Sequence, residues 1–262
     1  MTHGMNSLSE KLLRGESVLG LIVKMPATAL VESAGYSGFD LVVVDTEHGI
    51  GCDGLLEQHL QAAGAAGIPL VVRVGSLDRV EILHALDAGA IGVIIPHVKS
   101  VADAQEAVRA AHYPPFGYRG LALSTRAGRY GTVAVSEHLE RWERETVVIG
   151  QVEDREALDQ VSEIAAVPRL SAIFIGPSDL SLSLGFPGQL SHPTVVDAVD
   201  GIVKAVVVDG DGAKLCVLAR DESEARGWTD RGAGVILFSG IDIINARIRE
   251  MASLPRRTAR ID

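Results

Sequence analysis

The sequence predicts an α/β fold, a (β/α)8 or TIM barrel that forms one domain over residues 1–262. The length suits a single barrel of this kind, which needs roughly 250 residues. Hydrophobic residues make up 47% of the chain and aromatic residues 4%, a composition typical of parallel strands covered by helices on both faces. Short apolar runs alternate with segments of helical periodicity, which indicates repeated β–α units.

Eight short apolar runs are the predicted strands. They are rich in Val, Ile and Leu and nearly continuous in hydrophobicity, as expected for strands buried on both faces. In chain order they are Val18–Val23, Leu41–Asp45, Leu70–Val74, Gly92–Pro96, Val147–Val152, Ala172–Gly176, Lys214–Ala219 and Val235–Phe238. A doubly wound open sheet is the alternative arrangement of such units.

Segments between the strands show apolar residues at every third or fourth position, which predicts helices. The clearest are Asp78–Ala88, Val101–Ala111 and Asp154–Ala165. Gly89 follows the first of them, where a helix is expected to end. Residues 112–146 are too long for an ordinary connection and are predicted to form a functional loop and a helix over Val135–Arg144.

Charge and cysteine usage limit the possible partners. The formal net charge is −10, which excludes nucleic acid as a partner because phosphate contacts need a basic surface. No apolar run approaches the ~20 residues that span a bilayer, and Met1–Glu10 contains no apolar signal-peptide core. Cys52 and Cys216 have neither metal-ligand nor redox spacing. These observations favour the reducing cytoplasm and no membrane partner.

Reactive side chains follow the predicted strands at their carboxyl ends, where the chemistry of such barrels takes place. They are Asp45, Glu47 and His48 after strand two, Arg73 in strand three, His97 after strand four, Gln151, Glu153 and Asp154 at strand five, and Ser178 and Asp179 after strand six. A carboxylate in such a place is often only a helix cap. An arginine in an apolar strand, however, requires an anionic partner, so the set favours an active site.

The residue types fit chemistry on a 2-ketoacid. Glu153 and Asp179 lie one β–α unit apart and supply the oxygen ligands that Mg²⁺ or Mn²⁺ prefers. Arg73 would neutralise charge on the keto oxygen, while His48, oriented by Asp45, would move the proton of a 4-hydroxyl group. These roles describe cleavage of a carbon–carbon bond through an enolate.

Two further features bear on the mechanism. No lysine stands at a matching strand end apart from Lys24 after strand one and Lys99 beyond strand four, so a metal mechanism is favoured over a Schiff base. The turn Gly176-Pro177-Ser178 is expected to bring the backbone N–H groups of Gly176 and Ser178 near a substrate carboxylate, and the sequence leaves open which of them contact it.

The chain resembles the HpcH/HpaI aldolase family, the metal-dependent class II pyruvate aldolases, from about Leu12 to Ile248. The resemblance rests on several ordered motifs. They are Gly38-Phe39-Asp40, Asp45-Thr46-Glu47-His48, Val72-Arg73-Val74, the run from Arg109 to Gly120, Gln151-Val152-Glu153, and the run from Phe174 to Gly185. It implies a barrel of the phosphoenolpyruvate/pyruvate type and cleavage of 4-hydroxy-2-ketoacids to pyruvate, or a substituted pyruvate, and an aldehyde.

The resemblance also implies a role for each site residue. His48 and Asp45 match the catalytic histidine and its aspartate partner, and Arg73 matches the arginine at the keto oxygen. The remaining matches are Glu153 and Asp179 as ligands of Mg²⁺, Mn²⁺ or Co²⁺, Gln151 as a pocket residue, and Gly176, Pro177 and Ser178 as the carboxylate-binding turn.

Family members are commonly hexamers, trimers of dimers with an exchanged C-terminal helix. Ile241–Met251 is the corresponding segment here, and Asp87 matches a position that reaches a neighbouring subunit's active site.

The sequence departs from the family pattern at Thr46, Ile22, His97 and the arginine-rich loop Ser124–Tyr130. These positions are expected to face the aldehyde, so the acceptor is left open. Three alternatives also stay open: a CoA-thioester lyase of the citrate or malyl-CoA type, an oxaloacetate decarboxylase, and a binding barrel without catalysis. The first would need basic residues at the barrel mouth, for which Arg126, Arg129 and Lys99 are the candidates.

Overall fold

The computed structural model describes residues 8–49, 53–208 and 212–254, and it contains a closed parallel barrel of eight strands in sequence order. The strands are β1 (Val18–Val23), β2 (Leu41–Asp45), β3 (Leu70–Arg73), β4 (Gly92–Ile95), β5 (Val147–Val152), β6 (Ala172–Ile175), β7 (Lys214–Ala219) and β8 (Val235–Ser239). Residues 18–22 of β1 pair with residues 235–239 of β8 and close the barrel. The barrel prediction is confirmed, and the open-sheet alternative is wrong.

Helices cover the outside of the barrel and one of its ends. They are α1 (Leu8–Leu13), α2 (Thr28–Tyr36), α3 (Asp53–Ala66), α4 (Arg79–Asp87), α5 (Val101–Ala111), α6 (Val135–Glu145), α7 (Val161–Ala165), α8 (Pro177–Ser183), α9 (Pro193–Val203), α10 (Glu222–Asp230) and α11 (Gly240–Ala252). Leu8 and Leu12 of α1 pack against the interior cluster of the strands. Helix α1 therefore closes the amino-terminal end of the barrel.

The helix predictions are confirmed except for one. Asp78 and Ser100 accept hydrogen bonds from backbone N–H groups of the first turns of α4 and α5, which begin there as side-chain caps dictate. The predicted helix Asp154–Ala165 is wrong over its first half, where a 3-10 segment spans Arg155–Gln160 and only α7 is α-helical.

Two hydrophobic layers result from the alternation of side chains along the strands. Inward-facing residues such as Val43, Val71 and Ile149 fill the barrel, whereas outward-facing residues such as Val44 and Val72 pack under the helices. Because inward positions recur every second residue, the last inward residue of each strand is placed at the carboxyl end of the barrel. This register decides which side chains meet there.

The long segment after α5 is anchored by a buried arginine. The Arg119 side chain is fully buried, lies between the rings of Tyr113 and Trp142 at 4.8 and 4.7 Å, and donates from Nη2 to Oδ1 of Asp87 at 2.9 Å. Asp87 is therefore engaged within its own chain. Further along, Arg126 donates to the Leu60 carbonyl oxygen.

In the part of the chain that the structure describes, no helix has the length and apolarity to cross a membrane. Cys216 is a free, buried thiol on β7. Cys52 lies outside the described residues.

Candidate active site

The inward-facing rows of β2, β3 and β5 end in polar side chains. Asp45 ends the β2 row, Arg73 ends the β3 row, and Gln151 follows Ile149 in the β5 row. All three residues are buried, and Arg73, the most exposed of them, is 6% exposed. The alternation that fills the barrel with aliphatic side chains thus places a polar layer at its carboxyl end.

Asp45 and Arg73 form a buried, two-point ion pair. Arg73 Nε donates to Asp45 Oδ1 at 3.0 Å and Nη2 donates to Oδ2 at 2.5 Å. Burial raises the pKa of Asp45, but the hydrogen bond and charge of Arg73 outweigh it and hold the pKa below its ordinary value. Burial likewise lowers the pKa of Arg73, and Asp45 more than offsets this. Both groups are charged at neutral pH.

Gln151 connects this pair to Glu153. Its Oε1 accepts from Arg73 Nη1 at 3.3 Å, and its Nε2 donates to Oε2 of Glu153. Glu153 is 1% exposed, and burial, with a contribution from the negative charge of Asp179, raises the pKa of its carboxyl group. A continuous buried chain of polar groups therefore runs from Asp45 to Glu153.

Gly176 permits the turn after β6 to approach this chain closely. A Cβ at this position would lie 2.3 Å from Glu153 Oε2 and 3.1 Å from Gln151 Nε2, so a side chain would displace Glu153. The Gly176 N–H donates to the Val152 carbonyl oxygen at 3.1 Å. Of the two N–H groups predicted near a substrate carboxylate, that of Gly176 is thus already bonded within the chain.

Pro177 begins α8, where its missing N–H costs no hydrogen bond. Asp179 lies in the first turn of α8 and is partly exposed. The turn places Asp179 near enough to Glu153 for its negative charge to contribute to the raised pKa of the Glu153 carboxyl group.

The loop after β2 holds His48 at the mouth of the barrel. Asp45 Oδ1 accepts from the backbone N–H groups of Glu47 and His48, both at 3.1 Å. Asp45 therefore orients this loop through the backbone, and the carboxylate beside the His48 ring is that of Glu47, 3.8 Å from Nε2. The His48 side chain is 53% exposed, so it is accessible from the mouth.

His97 lies across the mouth from this loop, in a left-handed backbone conformation with φ +53°. Its N–H donates to Glu153 Oε1 at 3.0 Å, and its ring Nδ1 lies 2.9 Å from Asp154 Oδ2. Burial lowers the pKa of His97, but the hydrogen bond with Asp154 and the surrounding carboxylates outweigh it and raise the pKa.

The structure brings Glu47, His97 and Lys24 into this site, although the sequence assigned none of the three a role in it. Among the described residues, Glu47, His97 and Glu153 offer potential metal-ligand atoms within 4.8 Å of one another. Lys24, at the end of β1, places Nζ 3.8 Å from Asp45 Oδ2. The position of Glu47 in the sequence, between Asp45 and His48, could have indicated that Glu47 belongs to the site.

The arginine-rich loop does not face this site within one chain. Arg126 and Arg129 line a cavity of about 720 Å³ with Pro69 and Ile91, which precede β3 and β4 and so mark the amino-terminal end of the barrel. The expectation that this loop faces the aldehyde is therefore wrong for a single chain.

Comparisons with known proteins identify the family of the chain. The family model of the HpcH/HpaI aldolase/citrate lyase family matches residues 19–246. A hydroxypyruvate/pyruvate aldolase of Sagittula stellata is 38% identical, with 96% of each chain covered. A 5-keto-4-deoxy-D-glucarate aldolase of Escherichia coli is 34% identical, with 84% of this chain and 85% of the relative covered.

A solved structure from Burkholderia cenocepacia, of a protein of the same family, superposes with a TM-score of 0.88 at 30% identity and covers 95% of this chain and 98% of that one. The matches extend over nearly the whole barrel, including every strand that contributes to the polar layer. The chain is therefore a carbon–carbon lyase of the aldolase type, and it belongs to the HpcH/HpaI aldolase/citrate lyase family.

Proposed function

We propose that this protein catalyses the metal-dependent aldol cleavage and condensation of 4-hydroxy-2-ketoacids, which yields pyruvate or a substituted pyruvate and an aldehyde. The observation that carries the proposal is the buried polar chain Asp45–Arg73–Gln151–Glu153, which ends beside Asp179. The names of the relatives, a hydroxypyruvate/pyruvate aldolase and a 5-keto-4-deoxy-D-glucarate aldolase, support the same substrate class.

The donor set suits a hard divalent cation. Glu153 and Asp179 would hold Mg²⁺, Mn²⁺ or Co²⁺, because carboxylate oxygens are the ligands such ions prefer. Burial and the Asp179 charge raise the pKa of Glu153, and Glu47 Oε2 is buried without a hydrogen-bond partner; added positive charge would relieve both. When bound, the cation would polarise the keto group and offset the negative charge that develops there.

Arg73 stabilises the charge that develops on the keto oxygen. Three of its five N–H groups are directed to Asp45 and Gln151, which leaves two for a substrate oxygen. The ion pair fixes the guanidinium in place before substrate binds, so its reorganisation does not add to the barrier. Asp45 is thus a positioning residue for both Arg73 and the His48 loop.

The turn after β6 binds the substrate carboxylate in this proposal. The Ser178 N–H is the remaining donor of the pair, since Gly176 donates to Val152. Gly176 and Pro177 act by shape: the first allows the turn to approach Glu153, and the second begins the helix without requiring a donor. Gln151 lies between this turn and Arg73, from which its Oε1 accepts a hydrogen bond.

His48 moves the proton of the 4-hydroxyl group. In cleavage it accepts the proton as the carbon–carbon bond breaks, and in condensation it returns the proton to the new alkoxide. Its exposed ring lies at the mouth, on the side of β2, where an aldehyde can enter and leave. Lys24, directly after the neighbouring strand β1, lies on the same side.

The geometry does not support the CoA-thioester alternative. Of the basic residues that such a substrate would need, Arg126 and Arg129 lie at the opposite end of the barrel. Lys99 remains near the mouth, but its Nζ is 3.4 Å from Asp154 Oδ1. No specific observation favours the decarboxylase alternative over aldol cleavage.

We further propose that the chain acts as a single catalytic domain in a homo-oligomer, a hexamer in which α11 is exchanged between subunits. Gly240 is the buried residue of α11, whereas Ile243, Ile248 and Met251 are 46%, 59% and 43% exposed. An apolar helix face of this kind is typical of a subunit interface. The free thiol of Cys216 fits a reducing cytoplasm as the location.

The enolisation half-reaction tests the proposal without knowledge of the aldehyde. Pyruvate incubated with the protein in deuterated water should exchange its methyl protons, as observed by NMR. The exchange should require a divalent cation and should be lost in Arg73→Ala. Pyruvate that keeps all its methyl protons in the presence of saturating metal would contradict the proposal.

A further inference from the structure

We propose that Lys24 binds an anionic group on the aldehyde, a carboxylate or a phosphate, so that the enzyme prefers acidic aldehydes to neutral ones. The inference rests on the aldol chemistry of the proposed function and names the class of aldehyde, which that function leaves open. Its starting point is the ammonium group of Lys24 at the barrel mouth. Nζ lies 3.8 Å from Asp45 Oδ2 and donates no hydrogen bond to any residue that the structure describes.

The alternation of side chains along β1 directs Lys24 towards the interior of the barrel mouth. Ile22 belongs to the interior cluster of the barrel, and Lys24, two residues later, continues the same row. Because Val23 pairs with Val44 in the parallel register of β1 and β2, the residues that follow them, Lys24 and Asp45, lie opposite each other. The polar layer at the carboxyl end of the barrel therefore extends onto the first strand.

Asp45 is satisfied without Lys24. Its Oδ1 accepts from Arg73 Nε and from the backbone N–H groups of Glu47 and His48, and its Oδ2 accepts from Arg73 Nη2. The Lys24 ammonium, at 3.8 Å, lies beyond hydrogen-bond distance. Burial raises the pKa of Asp45, and among the groups that lower it Lys24 has a smaller effect than Arg73. With no acceptor among the described side chains, the three N–H donors of Lys24 can serve a ligand.

The loop that carries His48 packs directly on the backbone of Lys24. A Cβ at Gly49 would lie 2.6 Å from the Lys24 carbonyl oxygen and 2.8 Å from its Cα, so only glycine permits this approach. Lys24 and His48 thus border the same part of the mouth. The Lys24 side chain is 35% exposed, which leaves its ammonium accessible to a substrate.

The proposed function directs the aldehyde portion of the substrate to this place. It assigns the substrate carboxylate to Ser178 after β6, the keto oxygen to Arg73 on β3 and the 4-hydroxyl group to His48 after β2. The next strand in this direction is β1, which pairs with β2 and is directly followed by Lys24. The substituent on the hydroxyl-bearing carbon comes from the aldehyde. An anionic group on it would accept a charge-assisted hydrogen bond from the ammonium, which a neutral group cannot match.

Initial rates of condensation by the full chain, with saturating pyruvate and Mg²⁺, test the inference on two matched pairs of aldehydes. Glyoxylate is compared with glycolaldehyde, and D-glyceraldehyde 3-phosphate with D-glyceraldehyde, so the pairs separate a carboxylate from a phosphate. In the wild type, kcat/KM should be higher for the anionic member of at least one pair. In Lys24→Met, which removes the charge and keeps the length, the ratio of kcat/KM within that pair should fall about 10-fold or more.

Two further variants separate recognition of the anion from a structural effect. Lys24→Arg keeps the charge and should keep most of the ratio. Lys99→Met changes the other lysine near the mouth, whose Nζ lies 3.4 Å from Asp154 Oδ1, and should leave the ratio unchanged. A purely structural role of Lys24, acting through Asp45, would lower kcat/KM equally for both members of a pair, and that result would overturn the inference.

A wild type that condenses neither anionic aldehyde better than its neutral partner, while pyruvate still exchanges its methyl protons in deuterated water, would also overturn the inference. That outcome leaves the proposed function standing. A protein that neither exchanges these protons nor condenses any of the aldehydes with metal present would contradict the proposed function, and the inference with it.

Discussion

Arg73 and Asp45 are direct partners in the parallel register of β2 and β3, and their side chains form a buried two-point ion pair at the carboxyl end of the barrel. The same aspartate accepts hydrogen bonds from the backbone N–H groups of Glu47 and His48. One carboxylate thus fixes the guanidinium and the loop that carries the proposed acid–base residue. The geometry of the site depends on this pair.

Removal of Arg73 should therefore affect both activity and stability. Arg73→Ala removes the two-point partner of the buried Asp45, which should lower the free energy of unfolding by about 3–5 kcal/mol and the turnover number by about 100-fold or more. Arg73→Lys keeps a positive charge but loses the two-point geometry. It should fold with smaller loss of stability and still lose most activity, as measured by urea unfolding and by pyruvate release. Near-normal activity in Arg73→Ala would exclude its proposed role.

Gly176 should not tolerate even a methyl group. In Gly176→Ala the new Cβ would lie 2.3 Å from Glu153 Oε2 and 2.8 Å from Glu153 Cβ, so Glu153 must move and the metal Kd should rise together with a loss of turnover. The matched control is Gly201→Ala, in α9, where no atom lies within 4 Å. That variant should keep its activity and gain about 0.5–1 kcal/mol of stability. Equal activity in the two variants would refute the argument.

Two buried histidines should each make a contribution to the stability of the folded state that is lost in mild acid. Burial lowers the pKa of His112 and of His138, so the unfolded chain, with histidine pKa values of about 6.5, binds protons that the folded chain does not. Their stabilising effect is complete above about pH 6.5 and is lost as the pH falls below it.

Urea unfolding at about pH 7.5 and about pH 5.5 measures this loss. His138→Gln can still pair with the Tyr113 hydroxyl, which lies 2.9 Å from His138 Nε2, but it does not titrate. The variant should lose less stability than the wild type between the two pH values. An identical loss in both proteins would show that His138 does not contribute.

The exposed apolar face of α11 should determine the assembly. Ile248→Asp introduces a charge at an exposed apolar position of this helix, and it should shift the protein to a smaller species in light scattering without changing its circular dichroism. Ile248→Leu keeps the apolar surface and should assemble as the wild type does. Assembly that is unaffected by the charge would place the interface elsewhere.

Much of the fold can be predicted from the sequence because strands that are buried on both faces appear as short, continuous runs of apolar residues. The strands were predicted within one residue at each end, for example Leu70–Val74 against Leu70–Arg73. The polar residues after those strands were predicted to meet, and the chain from Asp45 to Glu153 does so. Parallel strands in consecutive order bring their carboxyl ends together. The position of each polar residue at the end of its strand was therefore enough to predict that these residues meet.

The contacts between these residues were not predictable in the same way. The N–H of Gly176 donates a hydrogen bond to the Val152 carbonyl oxygen. This contact depends on the register of β5 and β6. The left-handed backbone of His97 and the hydrogen bonds that fix it arise from tertiary contacts with Glu153 and Gln151. The location of Arg126 at the far end of the barrel depends on the path of a long loop, for which local periodicity gives no signal.

Pyruvate release from a panel of 4-hydroxy-2-ketoacids, before and after chelator treatment and with Mg²⁺, Mn²⁺ or Co²⁺ added back, tests the central claim most directly. The account predicts release that disappears with the chelator and returns with the cation, and the order of substrates would begin to identify the aldehyde. Full release in excess chelator, or no release from any member of the panel with metal present, would contradict it.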